Sequence, residues 1–134
     1  MKPRAMMSSS LSLPLALALV VAPALTTAPG CSASDRYVPA TGGDPAAGRA
    51  AILRHGCNAC HAIPDIGGFG GQVGPSLAGV GQRAYIAGKL PNTAANLVRW
   101  IQDPHAVDEH TAMPTLGLTD KEARDVAAYL YTMD

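Results

Sequence analysis

The feature that most constrains this chain is the pentapeptide Cys57-Asn58-Ala59-Cys60-His61. Two cysteines separated by two residues and followed at once by a histidine are the attachment signature of c-type haem. The spacing suits the chemistry, because one helical turn presents both thiols to the two vinyl groups of a porphyrin, where each forms a thioether. The adjacent His61 then lies under the iron as its proximal axial ligand. The pattern predicts one haem c, held covalently through Cys57 and Cys60.

Two other readings of the motif are weaker. Half of a zinc site would need two more ligands at a second knuckle, and the chain has only one further cysteine, Cys31, far upstream. A redox-active dithiol belongs in a βαβ context, which this sequence lacks.

Composition also agrees with a bound haem. Aromatic residues make up only 4% of the chain, and a buried porphyrin would supply the apolar bulk that such a core lacks.

Residues 1–30 have the pattern of a secretory signal peptide rather than of a folded segment. Lys2 and Arg4 form a positive n-region, and the apolar stretch from Leu11 to Leu25 follows it. That stretch is shorter than the roughly 20 residues that a membrane-spanning helix needs. Export agrees with the haem motif, since bacteria attach c-type haem outside the cytoplasmic membrane.

The end of this segment, Ala28-Pro29-Gly30-Cys31, resembles a bacterial lipobox. Its first two residues depart from the usual pattern, so ordinary cleavage after Ala24 or Ala28 is the alternative. That alternative would leave Cys31 as an unpaired thiol in an oxidising compartment. We therefore expect a lipid anchor on Cys31. Residues 31–43 are rich in Ser, Pro, Gly and Thr and are expected to form a flexible linker.

Charge argues against one class of partner. The chain carries ten basic and ten acidic residues, and removal of Lys2 and Arg4 with the leader leaves a net charge of about −2. Nucleic-acid binding requires a basic stripe, so no nucleic-acid partner is expected.

The remaining residues, 44–134, form the predicted haem domain, which begins with a helix. Asp44 is a suitable N-cap, Pro45 suits the first helical position, and Gly56 ends the run. Gly48 lies on the apolar face of this helix and indicates close approach by another helix. His55, near its end, is expected to be an exposed or capping residue rather than a ligand.

Two further helices are predicted. The second is capped by Asn92 or Thr93 and ends before Pro104. The third opens at Thr119, which forms a capping box with Glu122. Their apolar faces are Leu97, Val98, Trp100 and Ile101 on the second helix, and Val126, Ala127, Tyr129 and Leu130 on the third. The last face is expected to pack against Gly48 and Ile52.

The stretch from Ile63 to Gly74 is rich in glycine and reads as a loop. A phosphate cradle is discounted because the Lys-Ser/Thr ending and the preceding strand are missing. The next residues are more informative, because a ligating histidine normally donates its second N–H to a backbone carbonyl. Pro75 is the predicted source of that carbonyl, and Leu77 is predicted to cover the porphyrin.

Three later residues are candidates for contact with the cofactor. Haem propionates need charge-assisted donors, which Arg83 can provide, although a solvated surface arginine fits the sequence equally well. Tyr85 follows closely and is included among the cofactor-binding candidates. Trp100 is the only tryptophan and is predicted to lie against the haem.

Met113, followed by Pro114, is the predicted sixth ligand. A thioether is a soft ligand for haem iron, and a His/Met pair raises the reduction potential relative to His/His. The only other methionine after the signal peptide is Met133, at a helix end. A core methionine is the alternative reading of Met113. His105 and His110 lie in a polar loop and are expected to be exposed.

From Asp44 to Met133 the chain resembles a class I cytochrome c. The resemblance is carried by Gly48, Ile52, Cys57, Cys60, His61, Gly74-Pro75-Ser76-Leu77, Arg83, Met113 and Val126-Ala127-Ala128-Tyr129-Leu130. It implies an all-α cytochrome c fold of three to five helices wrapped around one haem. It also implies that Pro75 supports His61, that Arg83 approaches a propionate, and that Trp100 takes the place of an aromatic near the methionine sulfur.

Leu90–Pro104 and Ala112–Thr119 further resemble bacterial cytochrome c domains associated with haem–copper oxidases. The expected function is a monomeric, periplasmic-side, one-electron carrier, not an enzyme, that serves a respiratory oxidase or dehydrogenase. The alternative is a haem-based sensor or peroxidase-like enzyme with a displaceable sixth ligand. One departure from mitochondrial cytochrome c is the absence of a lysine-rich haem edge, so docking through a ring of lysines is not expected.

Overall fold

The elements of the fold are known from a computed structural model that describes residues 40–67, 71 and 73–133. Its helices are α1 (Pro45–Arg54), α2 (Ala94–Gln102) and α3 (Asp120–Leu130). Two 3₁₀ turns lie between α1 and α2, at Cys57–Ala59 and Val80–Gln82. A short antiparallel hairpin of β1 (Tyr85–Ile86) and β2 (Leu90–Pro91) precedes α2. The all-α fold class is confirmed. The short hairpin is a feature that the sequence did not predict. The leader 1–30 and the lipobox cysteine, Cys31, lie outside the described residues.

The helices begin at the caps that the sequence indicates. The Asp44 carboxylate accepts from the N–H of Ala46 at 2.8 Å, and the Thr93 hydroxyl accepts from the N–H of Asn96 at 3.2 Å. Thr119 and Glu122 form the predicted capping box. The backbone and hydroxyl bonds from Thr119, with a smaller contribution from Arg54, lower the pKa of Glu122 to about 2. The cap therefore carries a charged carboxylate at neutral pH.

Helices α1 and α3 pack together so closely that their backbones meet. A Cβ on Gly48 would overlap the backbone carbonyl of Asp125, and one on Gly43 would overlap the carbonyl of Arg124. Gly43 and the buried Thr41 precede the helix, so tertiary contacts begin before Asp44. The small residues on α1 are thus explained by contact with α3.

A buried carboxylate joins the same two helices, and sequence reasoning missed it. Asp125 on α3 accepts from the N–H of Asp44 at 2.8 Å and from Nζ of Lys121 at 2.7 Å. Lys121 and the Asp44 N–H hold the pKa of Asp125 below its usual range. Because the residue is only 3% exposed, these donors keep its charge satisfied where water is largely excluded.

The Asn92 side chain connects the segment between Val80 and Asn92 to the residue that follows α3. Asn92 donates through Nδ2 to the carbonyls of Val80 and Arg83, both at 2.8 Å. Its Oδ1 accepts from the hydroxyl of Tyr131, just after α3, at 2.9 Å. This arrangement holds the backbone of Val80 and Arg83 in place relative to Tyr131, which is buried in the core. Within residues 40–67, 71 and 73–133, no helix has the length and apolar character needed to cross a bilayer.

Candidate haem-binding site

The Cys57–His61 segment forms a single tight turn. Gly56 has φ of 70°, a left-handed conformation that glycine adopts without steric cost, and it ends α1 there. The N–H groups of Cys60 and His61 both donate to the carbonyl of Cys57, at 3.2 and 3.0 Å. Both thiols are free of disulfide bonds, and burial raises the pKa of the Cys57 thiol. The turn therefore places two thiols and an imidazole in the order that thioether attachment requires.

This turn opens onto one large cavity of ≈ 560 Å³. The structure brings all nine sequence-predicted site residues to its walls: Cys57, Cys60, His61, Pro75, Leu77, Arg83, Tyr85, Trp100 and Met113. The inner wall is aliphatic, with Ile52, Leu97, Ile101, Val126 and Leu130. Volume and lining are those of a cofactor site, which is concave and mostly apolar with few polar groups.

The backbone after the glycine-rich loop supports the imidazole. Nδ1 of His61 lies 2.7 Å from the carbonyl oxygen of Pro75, to which its N–H donates. The N–H of Gly74 donates to the carbonyl of Cys60 at 2.8 Å, and that of Leu77 to Ala62 at 2.9 Å. The bond to Pro75 leaves Nε2 as the ring nitrogen with a free lone pair for iron.

Arg83 lies on the cavity wall, where its guanidinium is engaged with backbone. Nη2 donates to the carbonyls of Ser76 and Ala78, at 2.6 and 3.0 Å. It thereby clamps the loop that carries Pro75. The predicted bond from Arg83 to a propionate stays a prediction. Tyr85 is 60% exposed at the cavity mouth, so its ring forms part of the rim.

Met113 and Trp100 line the cavity together with the chain that follows α2. Met113 is half-buried, and its N–H donates to the hydroxyl of Thr111 at 3.2 Å. Trp100 is partly buried against the hydrophobic core. His105 and His110 are absent from the cavity lining among the described residues. The histidine side chain on the described lining other than His61 is His55.

Two charged or titratable groups near the site were not found by sequence reasoning. His55 is the C-cap of α1, as its position suggested, but it also borders the cavity and lies 3.4 Å from Oε1 of Glu122. Asp108 borders the cavity as well and pairs with Lys89 at 3.5 Å. Neither position carries a local sequence signal, because each depends on how distant segments meet.

The residues present fit a covalently attached haem. The cavity supplies an apolar wall for a porphyrin and two thiols on one turn. It also has His61, with its imidazole held by Pro75, and Met113 on its walls. These features define an all-α protein that binds haem c covalently.

The comparison with known families agrees. The family model described as Cytochrome c matches residues 45–134, and the chain belongs to the cytochrome c family. Membership means that haem c is bound covalently, through Cys57 and Cys60. Proteins of this family are typically electron carriers rather than enzymes.

The chain is also similar to two larger bacterial proteins. It is 33% identical over 87 residues to cytochrome c oxidase subunit 2 of Alkalihalophilus pseudofirmus, a match that covers 64% of this chain and 25% of that protein. It is 34% identical over 87 residues to cytochrome c oxidase subunit 2 of Bacillus sp. strain PS3, covering 62% and 24% respectively. The chain thus spans about a quarter of the length of these relatives.

Proposed function

We propose that this protein is a one-electron carrier in which His61 and Met113 are the two axial ligands of a single haem iron. The observation that carries the proposal is the cavity itself, which has both His61 and Met113 on its walls. The hydrogen bond from His61 to Pro75 supports one half of the ligand set. For the other half, Met113 is the methionine that borders the cavity within the described part of the chain.

The chain's own residues prepare this site for reversible electron transfer. The Pro75 carbonyl holds Nδ1 of His61 and leaves Nε2 free for iron, and Thr111 restrains the backbone at Met113. The aliphatic wall would exclude water from a bound haem, which would disfavour the net positive charge of the ferric form and so favour the reduced form. When bound, haem supplies the one-electron couple between Fe(II) and Fe(III). With His61 and Met113 both bound to the iron, no coordination position would be left for a substrate, which supports a carrier rather than an enzyme.

The proposed partner is a haem–copper oxidase. Both relatives are oxidase subunits, and electrons would leave through the cavity mouth, where a bound haem would be nearest to solvent. That mouth is apolar, since Val73, Tyr85 and Leu116 are exposed there. Its charged residues on the described lining are one base, Arg83, and one acid, Asp108. An apolar rim without net charge fits docking by hydrophobic contact.

We expect Leu116→Lys to slow oxidation of the reduced protein by a purified haem–copper oxidase. Leu116 borders the cavity, so a buried ammonium would oppose docking there. Leu53→Lys is the matched control, because Leu53 is similarly exposed but does not border the cavity.

The same docking mode predicts a weak salt dependence. Stopped-flow measurement between 0.1 and 1 M salt, where the Debye length falls from about 10 to about 3 Å, should show only a modest change in the wild-type rate. A steep salt dependence, or equal slowing by both lysines, would contradict apolar docking at this rim.

We also propose that the protein works on the outer face of a bacterial membrane and is anchored by lipid on Cys31. This proposal rests on the sequence of the leader and lipobox. Intact mass of the native protein should show a lipid-modified N-terminal Cys31, and the protein should sediment with membranes. Cys31→Ser should be released or keep its leader, whereas the control Ser32→Ala should still be anchored. A mature N-terminus elsewhere, without lipid, would show ordinary cleavage.

A further inference from the structure

We propose that Gly74 is a positioning residue for the His61 imidazole, a role that rests on the proposed iron ligation by His61. The backbone of Gly74 lies directly against the ring. A Cβ at this position would be 2.6 Å from Nδ1 and 2.9 Å from Nε2, and would overlap Cε1 between them. Carbon cannot approach that closely, so any side chain at residue 74 has to displace either the ring or the loop.

The contact is firm because Gly74 is itself held in place. Its N–H donates to the carbonyl of Cys60 at 2.8 Å, and the carbonyl of the next residue, Pro75, accepts from His61 Nδ1 at 2.7 Å. Gly74 and Pro75 of the loop are therefore hydrogen-bonded to Cys60 and His61 of the attachment turn. A displacement of Gly74 would be passed on to the hydrogen bond of the imidazole.

The two restraints on the ring are different in kind. A carbonyl accepts over a broad range of directions, and the terminal torsion of histidine has no sharp minima. The bond to Pro75 therefore holds Nδ1 without fixing the plane of the ring. Contact with the bare Cα of Gly74 blocks rotation of the imidazole toward the loop and so selects one orientation of the ring plane. That orientation would set how an axial imidazole faces the iron.

Backbone conformation does not account for glycine at this position. The positive-φ glycines of the described chain do not include Gly74, so alanine is compatible with its backbone. At Gly67, in the same glycine-rich stretch, an added Cβ would have no neighbouring atom within 4 Å, and φ is not positive. Gly71 offers a third case, since its Cβ would meet the backbone of Ala59 and Cys60 rather than the imidazole.

These three glycines provide a test on the haem-loaded protein. The readouts are the haem methyl hyperfine shifts of the oxidised form, which report the plane of the axial imidazole, and the His61 Nδ1–H resonance of the reduced form. Gly74→Ala should reorder the methyl shifts. It should also speed Nδ1–H exchange about tenfold, as expected when one hydrogen bond is weakened by about 1.4 kcal/mol. Gly67→Ala should leave both readouts at wild-type values.

Gly71→Ala separates positioning from general damage to the loop. It should lower stability while the order of the methyl shifts is retained, and the same reordering in both alanine variants would overturn the proposal. If Gly74→Ala yields no holoprotein, the reduced wild type still decides. A nuclear Overhauser contact between the Gly74 α-protons and His61 Cε1–H supports the proposal, and its absence overturns it.

The same spectra distinguish this inference from the proposed function. If the wild type shows no histidine ligand, the proposed ligation by His61 is wrong. If His61 is the ligand and Gly74→Ala matches Gly67→Ala, ligation stands and the positioning role is wrong.

Discussion

Gly48→Val is expected to destabilise the protein by about 1–3 kcal/mol or more, because overpacking forces backbone and side chains out of place. The added carbons would meet the backbone carbonyl of Asp125 on α3 rather than a side chain that can move. Parting the helices would also stretch the bond between the Asp44 N–H and the Asp125 carboxylate. Denaturant unfolding of the haem-loaded protein, followed by far-ultraviolet circular dichroism, measures the loss.

Gly48→Ala makes the same point more sharply. Alanine is favoured over glycine inside a helix by about 1 kcal/mol, so without the contact this change would stabilise the protein. We expect net destabilisation instead, since even one methyl group overlaps α3. Ala50→Val on the exposed side of α1 controls for the helix propensity of valine, which costs less than about 0.7 kcal/mol. Stability raised above wild type by about 1 kcal/mol in Gly48→Ala, the full gain in helix propensity, would refute the close contact.

Sequence reasoning succeeded where the signal is local. Asp44, Thr93 and Thr119 cap their helices because the acceptor and the orphan N–H lie within three residues of each other. The haem-attachment turn is local in the same sense. Short-range geometry of this kind leaves little freedom to the rest of the fold, so reading the caps from the sequence is reliable.

Sequence reasoning failed where a residue's partner is distant in the chain or where a turn lacks its usual residues. Nothing near Asp125 shows that its carboxylate binds the N–H of Asp44 at the other end of the domain. The hairpin was missed because its strands have only two residues each and its turn contains Ala87, with φ of 49°, ahead of Gly88. Asn-Gly is the usual signal for such a turn, and alanine in the first position conceals it.

The candidate site lies between these extremes. All nine predicted residues border one cavity, because the family resemblance carries long-range information that residue chemistry alone lacks. The resemblance assigned Arg83 to a propionate, yet the partners seen in the described chain are the carbonyls of Ser76 and Ala78. The bonds from the Arg83 side chain to the loop that carries Pro75 could be found only from coordinates.

Met113→Ala should remove the proposed sixth ligand and with it the character of a high-potential carrier. The oxidised wild type should be low-spin and show the weak sulfur-to-iron band in the far red. The variant should lose that band and have a lower reduction potential, because a soft thioether favours Fe(II). The reduced variant should also bind carbon monoxide more readily than the wild type. Visible spectra and a redox titration measure these changes.

Two controls separate ligation from packing. Met133→Leu removes the other methionine of the described chain, which is buried three residues after α3 and outside the cavity lining. This variant should keep the band and the potential. His110→Ala tests the rival ligand, whose side chain is 86% exposed. If His110→Ala changed the spectrum and Met113→Ala did not, histidine would be the sixth ligand. The proposal of a His/Met carrier would then be wrong, because a second imidazole lowers the potential relative to a thioether.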